Sequence, residues 1–426
     1  MYDTIILGAR VAGSPTAMLL ARKGYRVLLV DRATFPSDTL STHQVQIPGG
    51  IALKRWGLLD AVIATGLDVA HHVQLDNDGI VVKGEFPTVD GVAGVYSPRR
   101  HLLDNILVRA AVAAGAELRE GFVVRDLLWD DGRVVGILGE GRNGATLSER
   151  ARVVIGADGR HSLVAKAVKA PVYDEQPTLT CGYYSYWESV PLEGGEIYSH
   201  SGSRRAVGAF PTNDGLTMIY VAWPASEFKT FRGDVEGNYL ATVRQFFGDR
   251  IDQGRRAERV VGSGEMANFY RKPYGPGWAL VGDAGYIKDP ITGLGISDAF
   301  RDAELLANAL AAGFAGSQSL ETALACYERQ RNAASKALYA LTLDTARLSP
   351  RSPLQMELLR ALAHDPAAAS QFFGVLTGVV KPGDFFTPRN LVRLIGVGGM
   401  VKAVSRQIFS SPGPTATVRD KSTTPA

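Results

Sequence analysis

Residues 280–296 read Leu-Val-Gly-Asp-Ala-Gly-Tyr-Ile-Lys-Asp-Pro-Ile-Thr-Gly-Leu-Gly-Ile. An apolar strand, Trp278 to Val281, runs into Gly282-Asp283. A loop containing Pro290, Gly293 and Gly295 then opens a helix predicted over Ile296 to Leu310. Asp283 can accept hydrogen bonds from a sugar-alcohol chain. The glycines let backbone N–H groups come close to a ligand. The helix N-terminus brings partial positive charge to an anion. Together these pieces suit a long cofactor with a polar tail and a partly aromatic head.

Two more strand–glycine–carboxylate units precede this one. Thr4 to Leu7 is a short apolar strand, followed by Gly8-Ala-Arg-Val-Ala-Gly13 and a helix through Arg22. The strand Arg26 to Val30 then ends on Asp31. This is the order of a dinucleotide-binding βαβ unit, with an acid placed to bind a ribose 2′-OH. Arg10 stands where the middle glycine of the pattern would be. The backbone can still approach a pyrophosphate if Arg10 keeps a negative φ, and its guanidinium could add a phosphate contact. The other unit is Val153-Val-Ile-Gly-Ala-Asp-Gly-Arg-His-Ser162, an apolar strand ending in Asp158-Gly159. A literal G-x-G-x-x-G lies at Gly139–Gly144, but no helix follows it. Its glycines read as a hairpin turn.

Taken in order, these motifs resemble the FAD-dependent monooxygenases of the para-hydroxybenzoate hydroxylase type, within the superfamily that also holds geranylgeranyl reductases and flavin-dependent halogenases. The resemblance covers roughly residues 1–345. It implies an α/β fold: a Rossmann-like FAD-binding domain with a β-meander, an antiparallel-sheet substrate domain and a C-terminal helical region. It assigns Gly8, Gly13 and Asp31 to the ADP part of FAD; Arg10, which departs from the pattern, is a candidate phosphate or flavin contact, and Arg32 either covers the adenine or is a solvated arginine after the strand. Arg100 resembles the arginine near the FAD phosphates, and Val124 the strand residue whose backbone meets adenine. Asp158 and Gly159 match the middle motif; Asp283, Pro290, Gly293 and Gly295 match the ribityl and flavin site. Two positions depart from the usual pattern, Ala165 and Gly285-Tyr286.

The implied reaction is an NAD(P)H-dependent monooxygenation. One oxygen atom of O2 would enter an apolar, planar or aromatic small molecule through a flavin C4a-hydroperoxide. The alternative is an FAD-dependent dehydrogenase or reductase of carbon–carbon bonds, like the geranylgeranyl reductases. A halogenase fits less well, because its Trp-x-Trp-x-Ile-Pro signature is absent. FAD would be bound and NAD(P)H transient. His43, in Leu40-Ser-Thr-His-Gln44, is the candidate acid–base residue, since histidine titrates near neutrality. Tyr286 and Tyr183 are weaker candidates.

These motifs need elements to hold them. The FAD-binding domain is expected over 1–70, 99–176 and 263–345, and the substrate sheet over 71–98 and 177–262. The region 346–410 reads as helical, a dimer face or a lid, and 411–426 as a disordered tail. Asp131-Gly132 is the clearest hairpin turn. The sheet region is dense in aromatics, among them Tyr183, Tyr184, Tyr186 and Trp187.

Bulk properties limit the alternatives. A chain of 426 residues exceeds one ordinary core. A net charge of +3 gives no nucleic-acid footprint. The two cysteines have no metal or redox spacing, which fits a reducing compartment. A strand begins within three residues of Met1, which argues against a secretory signal, and no apolar run is long enough to span a membrane, so a cytoplasmic protein is the expectation. A homodimer is compatible with this reading.

Overall fold

A computed structural model describes residues 1–142 and 144–410, with side chains to residue 401. The expected disordered tail lies outside the described residues. The chain opens as β1 (Tyr2–Leu7), α1 (Gly13–Ala21) and β2 (Val27–Asp31). The strands pair in parallel, Ile5 opposite Leu28. Both are fully buried, and each such side chain contributes about 2 kcal/mol. Next come α2 (Ile47–Trp56) and α3 (Leu59–Ile63). The chain then leaves this layer for the hairpin β3 (His72–Asn77) and β4 (Ile80–Glu85). It returns through α4 (Arg100–Ala113) to β5 (Glu117–Glu120), which lies parallel to β2.

The meander follows as β6 (Val123–Asp130), β7 (Arg133–Glu140) and β8 (Thr146–Gly156). Asp131 and Gly132, at φ 46° and 70°, make its first turn, as a two-residue hairpin with left-handed central residues requires. The first half of β8 pairs antiparallel with β7 and the second half parallel with β1. Its composition changes at the same place. Val153, Val154 and Ile155 are all buried, the signature of a strand covered on both faces. The literal glycine pattern at 139–144 joins β7 to β8, with no helix after it. A short α5 (Leu163–Ala167) and β9 (Val172–Gln176) complete this passage.

A second sheet is built from β10 (Thr180–Glu188), β11 (Gly195–His200), β12 (Arg205–Pro211) and β13 (Leu216–Pro224). Helices α6 (Phe228–Gly233) and α7 (Val235–Phe247) pack on it, and β14 (Arg255–Arg256) and β15 (Val261–Ser263) extend its edge. The earlier hairpin joins at the other edge. There the antiparallel expectation needs one correction: β3 pairs in parallel with β11. That pair joins strands far apart in sequence, so no tight hairpin forces them antiparallel.

The chain re-enters the first layer through β16 (Asn268–Arg271), β17 (Tyr274–Gly275) and β18 (Trp278–Leu280). Strand β18 pairs in parallel with β8. After β19 (Tyr286–Ile287) come the long helices α8 (Gly295–Phe314) and α9 (Leu320–Ala346). Four more follow: α10 (Pro353–Leu362), α11 (Pro366–Thr377), α12 (Pro382–Phe385) and α13 (Pro388–Ser410). The class is the one the sequence predicts. Among the described residues, no helix is long and apolar enough to cross a membrane.

Candidate cofactor and substrate site

At the end of β1, the turn is as tight as a backbone permits. A Cβ on Gly13 would lie 1.8 Å from the Gly8 carbonyl oxygen, so only glycine lets α1 start against the strand. Arg10 keeps a negative φ. No side chain caps α1 and its first turn carries no acid. Ser14 N already donates to Arg10 O at 3.0 Å and Pro15 has no N–H, so the Gly13 N–H is the one at this helix start left to face an anion. The Asp31 carboxylate accepts from Ala9 N at 2.7 Å and Ala33 N at 2.8 Å, which fixes its orientation beside that turn. Arg32 is exposed just beyond it. Phe122 N donates to Asp31 O at 2.9 Å. That bond seats the start of β6, with half-buried Val124, next to the same strand end.

Arg10 and Arg100 meet on one carboxylate that the sequence reading missed. Arg10 bonds Asp104 at 2.7 Å, and Arg100 takes both oxygens of Asp104 at 3.1 Å. Asp104 is fully buried. Arg10 also bonds Ser37 and the Asp38 carbonyl. Two guanidiniums against one carboxylate leave a net positive charge, which suits a pyrophosphate. The only signal in the sequence was the helical i, i+4 spacing of Arg100 and Asp104.

Asp158 accepts from Leu163 N at 2.7 Å, while its other oxygen is buried without a partner. Burial raises its pKa. Gly159, at φ 78°, has open space where a Cβ would be. Asp283 is open to solvent but set deep among protein atoms, as in the wall of a cleft. That setting pushes its pKa up to about 6, mainly through burial. Pro290 begins a short turn capped by Asp289, which accepts from Ile291 N at 3.0 Å and from the Thr180 hydroxyl at 2.6 Å. The second bond ties this loop to β10 of the second sheet. Gly293 packs against Gln44. Gly295 opens α8, where a Cβ would meet nothing within 4 Å. No side chain caps α8, and the acid in its first turn, Asp298, is held by Lys288 at 2.7 Å and Arg301 at 2.6 Å. The donor set therefore fits FAD: two helix N-termini without side-chain caps, carboxylates that could accept from ribose and ribityl hydroxyls, and the Arg10–Arg100 pair.

His43 is fully buried, with φ 61°. Its Nε2 is hydrogen-bonded to the Tyr186 hydroxyl. The Arg99 guanidinium covers the other ring at 3.9 Å. Burial first, then the charge of Arg100, lowers the imidazole pKa to about 3. The ring is neutral at pH 7, so it has no imidazolium proton to give. Its Nδ1 is buried without a hydrogen-bond partner among the described residues. This carries a stability consequence. The unfolded chain takes up a proton at His43 below its ordinary pKa of 6.5, and the folded chain does not until about 3. Folding stability is thus lost as pH falls through that window, by about 2 kcal/mol between pH 6.5 and about pH 5. In urea titrations His43→Gln is expected to lose correspondingly less stability over that interval. An equal loss in both proteins would show that the imidazole is not held neutral.

The aromatics of β10 divide by the two-residue period of a strand. Tyr184 and Tyr186 lie on one face with Met218, Tyr220 and Leu348. Tyr183 and Trp187 lie on the other, under α6 and α7. Tyr286 is buried in a separate stack on Tyr270, with ring centres 4.5 Å apart. Neither Tyr183 nor Tyr286 lines the cavity that lies against this sheet.

That cavity, of about 220 Å³, lies between the second sheet and the C-terminal helices. Thr42, Gln44 and Pro290–Thr292 close its flavin-loop end. Val207, Phe210, Met218 and Tyr220 form the sheet wall; Leu358, Phe373 and Leu376 form the roof. The region 346–410 thus supplies a cover for the sheet, a role its sequence left open.

Residues 1–342 match the FAD binding domain family. The chain belongs to that family, and it is an FAD-dependent oxidoreductase. A digeranylgeranylglycerophospholipid reductase of Methanocella arvoryzae is 28% identical over 347 residues, 79% of this chain and 84% of that protein. The 6-methylpretetramide 4-monooxygenase of Streptomyces rimosus is 28% identical over 315 residues, 71% of this chain and 73% of that protein. A solved flavoprotein/dehydrogenase from Cytophaga hutchinsonii shares the fold at 18% identity, with a TM-score of 0.78 and coverage of 95% of this chain and 99% of that one.

Proposed function

We propose that the protein is an NAD(P)H-dependent FAD monooxygenase that places one oxygen atom of O2 on an apolar small molecule. The observation that carries this reading is the cavity of about 220 Å³, mainly apolar and ending on the Pro290–Thr292 loop. Bound FAD supplies the redox chemistry. The protein's residues supply the rest. Gly8, Gly13 and Asp31 seat the ADP end, and the pair Arg10 and Arg100 offsets the phosphate charge. Asp283 and the N-terminus of α8 orient the ribityl chain and flavin. The sheet wall and the helical roof exclude water from the reacting atoms.

A second reading, reduction of a carbon–carbon double bond, is favoured by the likeness to the Methanocella reductase. One experiment separates the two. The FAD-loaded protein is incubated with NADH or NADPH and a panel of apolar aromatics and polyenes under isotopically heavy dioxygen. A product carrying one heavy oxygen atom is the expected result. Anaerobic turnover that adds two hydrogens to the substrate would overturn it in favour of the reductase.

A further inference from the structure

We propose that the cavity takes a substrate with an anionic head group, a carboxylate or phosphate ester, and that Arg351 binds it. This deepens the functional reading and rests on the cavity being the substrate site. Arg351 follows α9 and lines the cavity. It is half-buried. Among the described residues it makes no hydrogen bond or ion pair. Its neighbours are differently placed. Arg347 pairs with Asp344 at 3.6 Å, and Arg205, also in the lining, pairs with Glu227 at 2.6 Å. Asp344 and Asp78 act on Arg351 only through space, and Asp78 already accepts from Ser201 N at 2.8 Å. Removing a guanidinium from water without a partner is costly, and burial accordingly lowers the Arg351 pKa. A bidentate oxyanion relieves that cost and matches the guanidinium fork.

The adjacent helix end does not compete for the anion. Ser352 and Gln355 close the N-terminus of α10 with a capping box. The position also sets an orientation. Thr342, on α9, is hydrogen-bonded to Thr292 of the flavin loop at 2.9 Å. The end of α9 at Ala346 lies a further helical turn along, roughly 6 Å, and Arg351 follows it. The head group is therefore held away from the flavin end while the apolar body points toward Pro290.

Calorimetric titration tests this without turnover. The FAD-loaded protein is titrated with 2-naphthoate, 2-naphthyl phosphate and neutral 2-naphthamide. At least one anion is expected to bind tenfold or more tighter than the amide. Arg351→Met should abolish that preference and Arg351→Lys should keep most of it, with melting temperatures near that of the parent. Preference for the carboxylate or for the phosphate tells which head group is meant. Equal binding of all three, no binding of any, or a preference that survives in Arg351→Met would overturn the proposal. An anion preference without oxygen insertion would leave it standing and count against the monooxygenase reading alone.

Discussion

Gly13→Val is expected to give protein that does not retain FAD. The new Cβ would stand 1.8 Å from the Gly8 carbonyl oxygen and 3.1 Å from the Ala157 Cβ. Neither neighbour can yield, since Gly8 N donates to Val30 O at 2.8 Å and Ala157 N to Leu7 O at 2.8 Å. Helix α1 must therefore lift off the sheet. Forced overpacking of this kind costs about 3 kcal/mol or more, and it moves the helix N-terminus that would face the pyrophosphate. Visible absorbance of the purified protein should fall at least tenfold. Gly233→Ala, at the end of α6 on the second sheet, is the matched control, because a Cβ there meets nothing within 4 Å. It should leave the melting temperature unchanged. Retention of flavin by Gly13→Val at parental levels would remove the N-terminal βαβ unit from the cofactor site.

Asp104→Ala has the second large effect. It strands Arg100, whose side chain is 7% exposed, and Arg10, at 24%, without their shared carboxylate. Removing one partner of a buried ion pair costs about 3–5 kcal/mol. Here the loss should depend on cofactor. If the arginines face the pyrophosphate, FAD supplies the missing negative charge. Saturating FAD should then raise the urea midpoint of the variant by more than that of the parent. An equal rise in both would place the pyrophosphate away from these arginines.

What could be read from the chain follows the range of the interactions. The strands at 4–7, 26–30, 153–156 and 278–281 announce themselves because continuous apolar runs next to glycine have few other uses. The sequence showed the aromatics of β10 but not that Tyr184 and Tyr186 share a face with Met218 and Tyr220, nor that none of the β10 aromatics lines the cavity. Helices α6 and α7 were not visible within a stretch read as sheet. Their Phe231, Tyr239, Val243 and Phe247 pack under β10 and β13, and aromatic and β-branched residues fit a strand equally well. The state of His43 lay beyond reach, since Tyr186, 143 positions away, and the surrounding burial decide it. The role of the last helices was hidden for the same reason: Phe373 meets Phe86, far back in the chain.

The late arrival of β18 bears on how the molecule is made. Strand β8 is paired on one side with β1, and its other edge waits for Trp278–Leu280. A ribosome must therefore release well over half the polypeptide before the nucleotide-binding layer is whole. Until then a buried-type strand of Val153, Val154 and Ile155 keeps one side unpaired, an invitation to aggregation that nascent chains commonly meet with chaperones. Shortened versions that stop before this strand should be poor folders, however complete their first glycine motif looks.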